Sequence, residues 1–527
     1  MTASERKRGR RGEEAPAPSI SHSWAQPGAS ASKVTLEPGQ VVYFEGRAEL
    51  QCKGGAVWIQ GTYVEDGASS VCLSAAAEAG GLLPIQALPS NTQVPRAPSR
   101  CTVIFGPPKD SEAERPLASG WSVHGEDRTQ AALHIMPEWA EAASGISAAM
   151  QEACAGGGAA AVTAVCGSKG TGKSTFGRLL LNSLLNACNQ VAWLETDCGQ
   201  PEFTVPGLVS LTYIKQPVFG LPHMHPGLPA RSHYIGHLSP EWDPQRYVAS
   251  VTDLARWHAV HHGSVPLIVN TCGWIKGLGE DVLADVLRCS RPSHVVTLRT
   301  PNVRRNLPGG QFWLAQGGDI GPLAVPAAAA QAAVIQLPAV TSDGPIGSIK
   351  AGPKKLTANQ ARSLSWLNFA RGCCGLPVHR FSWATEVAAE TAEALTRARP
   401  YTVGFDSVRL QCLHTSVPEH LMGAVLNGAL VGLCKEADDI AECLGVALVR
   451  AVDAEAGLLY VLSPLPLSSL QHVNLVQVGR LDLPPELLQS GEIVCPYLSS
   501  WSLSTVGTGA GAIKSRNNLQ RAAQLAA

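Results

Sequence analysis

The stretch Gly167-Ser168-Lys169-Gly170-Thr171-Gly172-Lys173-Ser174 constrains this chain more than any other. It spells GxxxxGKS, follows an apolar run at 160–165 and precedes Thr175-Phe176-Gly177-Arg178-Leu179-Leu180-Leu181. Strand, glycine-rich loop and helix in that order make a phosphate-binding P-loop. The glycines let the backbone fold around a phosphate chain with its N–H groups pointing inward. The helix N-terminus adds a field that favours anions. Gly167, Ser168, Lys169, Gly170, Thr171, Gly172, Lys173, Ser174 and Thr175 are the expected nucleotide contacts. Lys173 should reach the β- and γ-phosphates, and Ser174 should help hold Mg²⁺.

At 527 residues the chain has room for two to four domains. A composition of 45% hydrophobic and 16% charged residues is that of a globular protein with ample core. The net charge of −1 gives no global field, so a polyanionic partner must be met by a local basic patch. There is no run of about twenty apolar residues, hence no expected membrane span, and no apolar secretory region at the N-terminus. The 15 cysteines are scattered, none in a C-x-x-C pair, and Cys373-Cys374 are adjacent. That suits neither a zinc knuckle nor a simple disulfide frame, and a reduced, intracellular protein is the plain expectation.

The texture changes along the chain. Residues 1–30 read as a disordered tail with the basic run Arg6-Lys7-Arg8-Gly9-Arg10-Arg11, either a nuclear or nucleolar address or a solvated end. Short β-prone runs at 41–44, 56–59 and 102–105, punctuated by glycines, predict a small antiparallel sandwich or barrel over 31–135. A helix over 138–154 leads through Gly156-Gly157-Gly158 into an α/β segment, taken as 136–350. Its helix from 173 to about 187 carries Phe176, Leu179, Leu180 and Leu184 on one face. Strands are expected at 190–194, 266–270 and 294–298, with a helix at 244–262. The proline-rich 201–229 reads as a loop insertion, and 306–350 as a flexible Gly/Pro/Ala-rich stretch. A helix at 360–371 and alternating β-prone runs predict an antiparallel β-rich region over 351–510, with a tail at 511–527. The fold class is therefore α/β. A central P-loop domain on a parallel sheet is flanked by an N-terminal β-sandwich-like domain and a C-terminal β-rich domain.

Several residues stand where chemistry belongs. Asp197 ends a strand beside the P-loop, where a carboxylate reaches the metal held by Ser174 or takes a proton from an attacking hydroxyl. The bland alternative is a turn-capping Asp. Strand 266–270 ends in Asn270 where an ordinary Walker B strand ends in Asp, which moves the metal-carboxylate role to Asp197. Trp274 follows on a loop at that strand's C-terminal end, placed either to stack on a base or to plug the loop onto the core. Arg299, Arg304 and Arg305 could form a lid over phosphates or a solvated loop. His223 and His225 form an HxH without a third ligand nearby, a weak metal signal. His258, His261 and His262 read as a solvated helix end. A P-loop protein is a switch, a motor, a transporter ATPase or a kinase. The acceptor-side residues favour a kinase without deciding it.

The segment Asp197-Cys198-Gly199-Gln200-Pro201-Glu202-Phe203-Thr204-Val205-Pro206-Gly207 resembles the DxGQPEFTPPG element of the polynucleotide 5′-hydroxyl kinases of ribosomal RNA processing. So do Gly236-His237-Leu238-Ser239-Pro240 with Asp243-Pro244 and Tyr247, and Asn270-Thr271-Cys272-Gly273-Trp274-Ile275-Lys276-Gly277. Gly457-Leu458-Leu459-Tyr460-Val461-Leu462-Ser463-Pro464-Leu465-Pro466 and Gly479-Arg480-Leu481-Asp482-Leu483-Pro484 look like the same family. The resemblance runs from about residue 34 to 510. The related RNA kinase of mRNA 3′-end formation and tRNA splicing shares the P-loop, DxGQ and TxGW elements, whereas Pro-Glu-Phe-Thr points to the nucleolar branch.

The resemblance implies transfer of the ATP γ-phosphate, with Mg²⁺, to an RNA 5′-hydroxyl during removal of an internal transcribed spacer. It implies catalytic roles for Lys173, Asp197 and Gln200 and for a lid arginine such as Arg304, metal contact by Ser174 and Asp197, and RNA packing on Trp274. An endoribonuclease partner, bound largely through the C-terminal region, and a nuclear, nucleolar location also follow from it. Two features depart from the expected pattern. The 309–353 insertion lacks the charge of an RNA surface, and the near-zero net charge leaves few contacts for RNA. The rival of another class is an ATP-binding scaffold of a processing complex with little phosphoryl transfer.

Overall fold

The computed structural model describes residues 31–75, 81–88, 100–107, 121–125, 133–155, 161–314, 332–340, 356–380 and 383–488. The basic run at 6–11, Gly156-Gly157-Gly158, most of the 309–353 insertion and the 505–527 tail lie outside the described residues. The described chain is organised around three sheets. None of its helices is long and apolar enough to cross a membrane.

The first sheet contains β1 (Ser32–Leu36), β2 (Val41–Lys53), β3 (Ala56–Ile59), β4 (Thr62–Glu65), β5 (Val71–Ala75), β6 (Leu83–Ala87), β7 (Cys101–Gly106) and β8 (Trp121–His124). These strands pair antiparallel, with β2 at the centre. Around Gly46, at φ 103°, β2 exchanges β6 and β8 for β5 and β7, so one long strand serves both halves of the layer. Only a glycine takes that φ without strain. Alternate residues such as Phe44, Leu50, Val103 and Phe105 turn inward to the core, and the Phe44 and Phe105 rings stack at 5.5 Å.

The central layer contains α1 (Pro137–Ala155), β9 (Val162–Gly167), α2 (Lys173–Leu185), β10 (Val191–Glu195), β11 (Leu208–Ile214) and β12 (Arg231–Tyr234). It continues with α3 (Pro244–His262), β13 (Leu267–Asn270), α4 (Leu278–Ser290), β14 (His294–Arg299) and β15 (Ala333–Pro338). Strand order is β12-β11-β10-β13-β9-β14-β15. The five strands β10, β13, β9, β14 and β15 are parallel. The expected parallel sheet is present in these five strands, and β11 and β12 extend it antiparallel at one edge. β11 lies inside the proline-rich segment read as a loop. The prolines flank it, and its own residues, Leu208 to Leu211, are buried between neighbours. β15 likewise lies within the stretch expected to be flexible. It pairs in register with β14 along its whole length.

The C-terminal region carries α5 (Ala358–Cys373) and α6 (Thr385–Arg397), then β16 (Tyr401–Gly404), β17 (Arg409–Cys412), β18 (Leu430–Lys435), β19 (Glu442–Asp453), β20 (Leu458–Leu462) and β21 (Leu475–Val478). The sheet is antiparallel as expected except for the parallel β17–β21 pair.

Side chains of the central layer hold the two flanking sheets. On α2, Asn182 donates through Nδ2 to the Gln60 and Val218 carbonyls, both at 3.0 Å, and accepts from Val218 N–H at 2.8 Å. One turn on, Asn186 donates to the Gly61 carbonyl at 2.8 Å and accepts from Tyr63 N–H at 3.0 Å. On the other edge, β12 lies against β19. Ser232 Oγ donates to the Cys443 carbonyl at 2.6 Å, and the Tyr234 hydroxyl to the Leu430 carbonyl at 3.0 Å. Buried His233 bonds the Ala441 carbonyl and Asp253 Oδ2, both at 2.8 Å, while Arg231 bridges Asp253 at 2.7 Å and Glu442 at 3.2 Å. His258, expected at a solvated helix end, is buried instead, with Nδ1 bonded to the Tyr213 hydroxyl at 3.0 Å. It falls on the inward face of α3, whereas His261 is exposed.

The Asp253 cluster carries a pH dependence. Burial opposes ionisation, but the bonds from His233 and Arg231 outweigh it and hold the Asp253 carboxyl down at about 2. A depressed folded value means stability is present above the unfolded carboxylate range and lost as pH falls through the folded value. Asp253→Asn should therefore lower stability by about 2 kcal/mol near neutrality, with the gap to wild type closing towards pH 2. Denaturant melts of both proteins across that range check it.

Candidate active site

The P-loop is the turn between β9 and α2, at the C-terminal edge of the parallel strands. Gly167, Gly170 and Gly172 all have positive φ, at 149°, 78° and 98°. At Gly172 a Cβ would lie 2.5 Å from the Trp139 ring of α1, so the loop also needs glycine there for space. Thr171 Oγ1 donates to the Ser168 carbonyl at 2.8 Å and closes the turn. Lys173 is buried, and its Nζ donates to the same carbonyl at 3.2 Å. Burial lowers its pKa, and Asp197 is the foremost of the groups that oppose the fall. Ser168 Oγ is buried without a hydrogen-bond partner in the described structure. An orphaned hydroxyl, a curled backbone and a buried ammonium together fit a phosphate chain. Ser174 begins α2 beside Lys173, half-buried, as a cation-linking hydroxyl requires.

The other half of the site is built on the end of β10, where the sequence places an acceptor-side carboxylate. Asp197 Oδ1 accepts from Gly199 N–H at 3.0 Å and Gln200 N–H at 3.1 Å, so this side chain does cap its own turn. No hydrogen bond involves Oδ2 among the described residues. The turn therefore occupies one oxygen of this carboxylate and leaves the other clear. A Cβ on Gly199 would meet the Leu238 carbonyl at 2.6 Å, so the Gly236-His237-Leu238 segment lies directly over this turn. Gln200 is half-buried at the turn's end.

Glu195 was not singled out in the sequence, yet it organises the turn. It is 1% exposed. Its Oε1 accepts from Asp197 N–H at 2.9 Å, and its Oε2 from Glu202 N–H at 2.9 Å and Trp193 Nε1 at 3.1 Å. Asn270 Nδ2 donates to both oxygens, at 2.9 and 3.1 Å. Burial pushes the Glu195 carboxyl up to about 8, the nearby Asp197 charge adds to the rise, and the N–H donors oppose it. The partners are all donors, so the bonding pattern suits the ionised form. The signal available in sequence was an acid continuing the otherwise apolar strand Val191-Ala192-Trp193-Leu194.

Trp274 packs on the first turn of α4, where a Cβ on Gly279 would lie 2.5 Å from its ring, and it remains half-buried. Gly273 approaches the P-loop so closely that a Cβ would stand 2.9 Å from Lys169 backbone atoms. Among the arginines, Arg305 Nη2 donates to the Lys169 carbonyl at 3.1 Å. Arg304 is exposed, its N–H bonded to Asn302 Oδ1 at 3.1 Å, and Arg299 ends β14. His225, from the HxH, bonds Glu202 at 2.9 Å together with Arg178. A cavity of about 520 Å³ lies elsewhere, between α3 and the C-terminal sheet near Arg246 and Asp438.

This chain is similar to several known proteins. The family described as mRNA cleavage and polyadenylation factor CLP1 P-loop matches residues 167–309. The family NOL9-like, C-terminal domain matches residues 396–484. Polynucleotide 5′-hydroxyl-kinase NOL9 of Arabidopsis thaliana is 33% identical over 379 residues, covering 69% of this chain and 96% of that protein. The Homo sapiens protein of the same name is 31% identical over 384 residues, covering 64% of this chain and 52% of its own. The chain thus spans nearly all of the plant relative and about half the length of the human one. A solved structure of Clp1p, described with its interface to Pcf11p, aligns with a TM-score of 0.50 over 86% of this chain and 99% of its own, at 14% identity. That likeness concerns the fold alone.

The crowding at Gly172 is testable. Gly170 has the same backbone requirement but open space around a Cβ. Gly172→Ala should weaken ATP binding, read by equilibrium titration, at least about tenfold more than Gly170→Ala, since only the former drives a methyl into Trp139.

Proposed function

Because this chain belongs to the polynucleotide 5′-hydroxyl-kinase NOL9 family, we propose that it transfers the γ-phosphate of ATP to the 5′-hydroxyl end of RNA. The observation that carries this reading is the pairing of two built halves. One is a phosphate cradle with buried Lys173. The other is an acceptor turn on which Asp197 keeps Oδ2 clear while Oδ1 holds the turn. Phosphoryl transfer needs mainly positioning and neutralisation of charge. Lys173 withdraws from the Ser168 carbonyl to the β- and γ-phosphates, and the P-loop N–H groups surround them. Ser174 and Asp197 are the residues that would hold Mg²⁺, which supplies charge neutralisation at the transferring phosphoryl group. Asp197 Oδ2 is also the atom to receive the hydroxyl proton as the 5′ oxygen attacks the γ-phosphorus and the bridging oxygen leaves with ADP. Gln200 orients the acceptor end from the same turn, and Trp274 offers the exposed part of its ring to the terminal nucleotide. Arg304 and Arg305 supply the lid, with Arg305 already against the P-loop.

The wider reading places the reaction in ribosomal RNA processing. An endoribonuclease working on an internal transcribed spacer would leave the 5′-hydroxyl ends that this enzyme consumes. A nucleolar location and an endoribonuclease partner docked on the C-terminal region are consistent with the NOL9 family and belong to this proposal.

The test follows labelled γ-phosphate from ATP into a 5′-hydroxyl RNA oligonucleotide. Wild type should transfer it, and Lys173→Ala and Asp197→Asn should each lose at least about a hundredfold, as removal of a preorganised charge-stabilising group does. Asp197→Asn should still bind ATP. A wild-type chain that binds ATP yet transfers nothing, alone or with its endonuclease, would make it a scaffold.

A further inference from the structure

Asn270 and Glu195 form a pair that the transfer reaction, as described above, does not use. They face each other across the parallel β10–β13 ladder, Glu195 opposite Asn270. Both are 1% exposed. Glu195 takes N–H bonds from the two ends of one loop: Oε1 from Asp197, where the loop begins, and Oε2 from Glu202, where it closes. Between them lie Cys198, Gly199, Gln200 and Pro201, the segment that carries the acceptor-side chemistry. A single carboxylate therefore staples the loop at both feet. The Asn270 amide lies across both oxygens and fixes the plane in which they point.

The other foot has a second tie. Glu202 receives Arg178 of α2 at 3.1 Å and His225 at 2.9 Å. Arg178 lies on the helix whose N-terminus is the phosphate cradle. A continuous set of buried bonds thus runs from α2 through Glu202 to Glu195, Asp197 and Asn270.

On the kinase reading above, we propose that Glu195 is a positioning residue for phosphoryl transfer. It holds the Asp197–Glu202 loop at a fixed place relative to the P-loop, and Asn270 is the donor that lets it do so. This gives a reason for an amide where a Walker B strand ordinarily ends in Asp. A carboxylate at 270 would confront Glu195 at hydrogen-bond distance, acid against acid, where both residues are only 1% exposed. The loop amides would then lose their shared acceptor.

The proposal predicts an inversion of the usual motif logic. Asn270→Asp, which writes the common Walker B residue into the strand, should lower kcat about 10–100-fold, the scale of a small misplacement of a reacting group. ATP affinity should change less than about threefold, because the P-loop itself is untouched. Asn270→Ser keeps a neutral donor at the position and should retain at least about tenfold more kcat than Asn270→Asp, whereas Glu195→Gln takes away one of the two acceptor oxygens and should not be rescued by Asn270→Asp. Hydrogen–deuterium exchange on the full-length chain provides a measure independent of turnover. Amides 197 and 202 should both exchange faster in Asn270→Asp than in wild type and stay near the wild-type rate in Asn270→Ser. Unchanged kcat and unchanged amide protection in Asn270→Asp would overturn the proposal, as would a kcat loss in Asn270→Asp with no change in protection. Absence of transfer in wild type would instead count against the kinase reading, while the exchange measurement would still judge the staple.

Discussion

The buried pair between Arg178 and Glu202 is the contact on which the working parts converge. Both side chains are nearly sealed from solvent, 6% and 1% exposed as residues. Burial raises the Glu202 pKa, yet Arg178 and His225 overcome it and keep the carboxyl below its ordinary range. Removing one partner of such a pair leaves an unmatched charge inside the protein, typically about 3–5 kcal/mol. The position of the pair matters as much as its strength. Arg178 also donates to the Gly220 carbonyl, so one guanidinium gathers the acceptor loop and the segment after β11 onto the helix that begins at the P-loop. One turn further, Asn182 on the same helix and then Asn186 just past its end reach the N-terminal sheet. α2 is thus a phosphate-binding helix at its tip and a structural beam along its side.

That division explains why the sequence was legible in some places and opaque in others. The P-loop, its strand and its helix depend on residues adjacent in the chain, and the α/β core with β-rich flanks followed from periodicity around them. Asp197 was visible for the same reason, at a strand end next to a motif. Glu195 was not, since its four partners are supplied by positions 193, 197, 202 and 270, and only the fold brings position 270 alongside. β11 and β15 escaped because proline, glycine and alanine around them dominate the local texture, while tertiary pairing decides their conformation. His258 escaped because helical phase, not residue type, separates the buried face of α3 from the exposed one. The lid arginine was ambiguous in sequence, and the Arg305 contact with Lys169 is a matter of loop geometry that no spacing encodes.

The C-terminal sheet also bears on the site, through backbone proximity. Arg480 N–H donates to the Gly236 carbonyl at 2.7 Å, and Gly479 and Gly236 approach so closely that neither tolerates a Cβ. Gly236 opens the segment whose Leu238 carbonyl rests on Gly199 in the acceptor turn. Arg480 then stacks over the Trp242 ring at 4.2 Å, a cation–π contact from the C-terminal sheet onto the start of α3.

The arrangement also weighs enzyme against scaffold on physical grounds. A protein that binds ATP only to hold its shape needs the cradle and the domain contacts, and both are present on α2 without the acceptor turn. The turn requires its own sealed apparatus: a buried carboxylate with four sets of donors, an amide where a carboxylate is usual, and a second buried ion pair. Burying charge costs free energy that packing with apolar groups of the same size would avoid. Such a cost is understandable where it fixes one particular carboxylate, Asp197, within electrostatic reach of Lys173 while leaving one of its oxygens clear. Precision of that kind is what the role proposed for Asp197 requires, and a scaffold has no use for it.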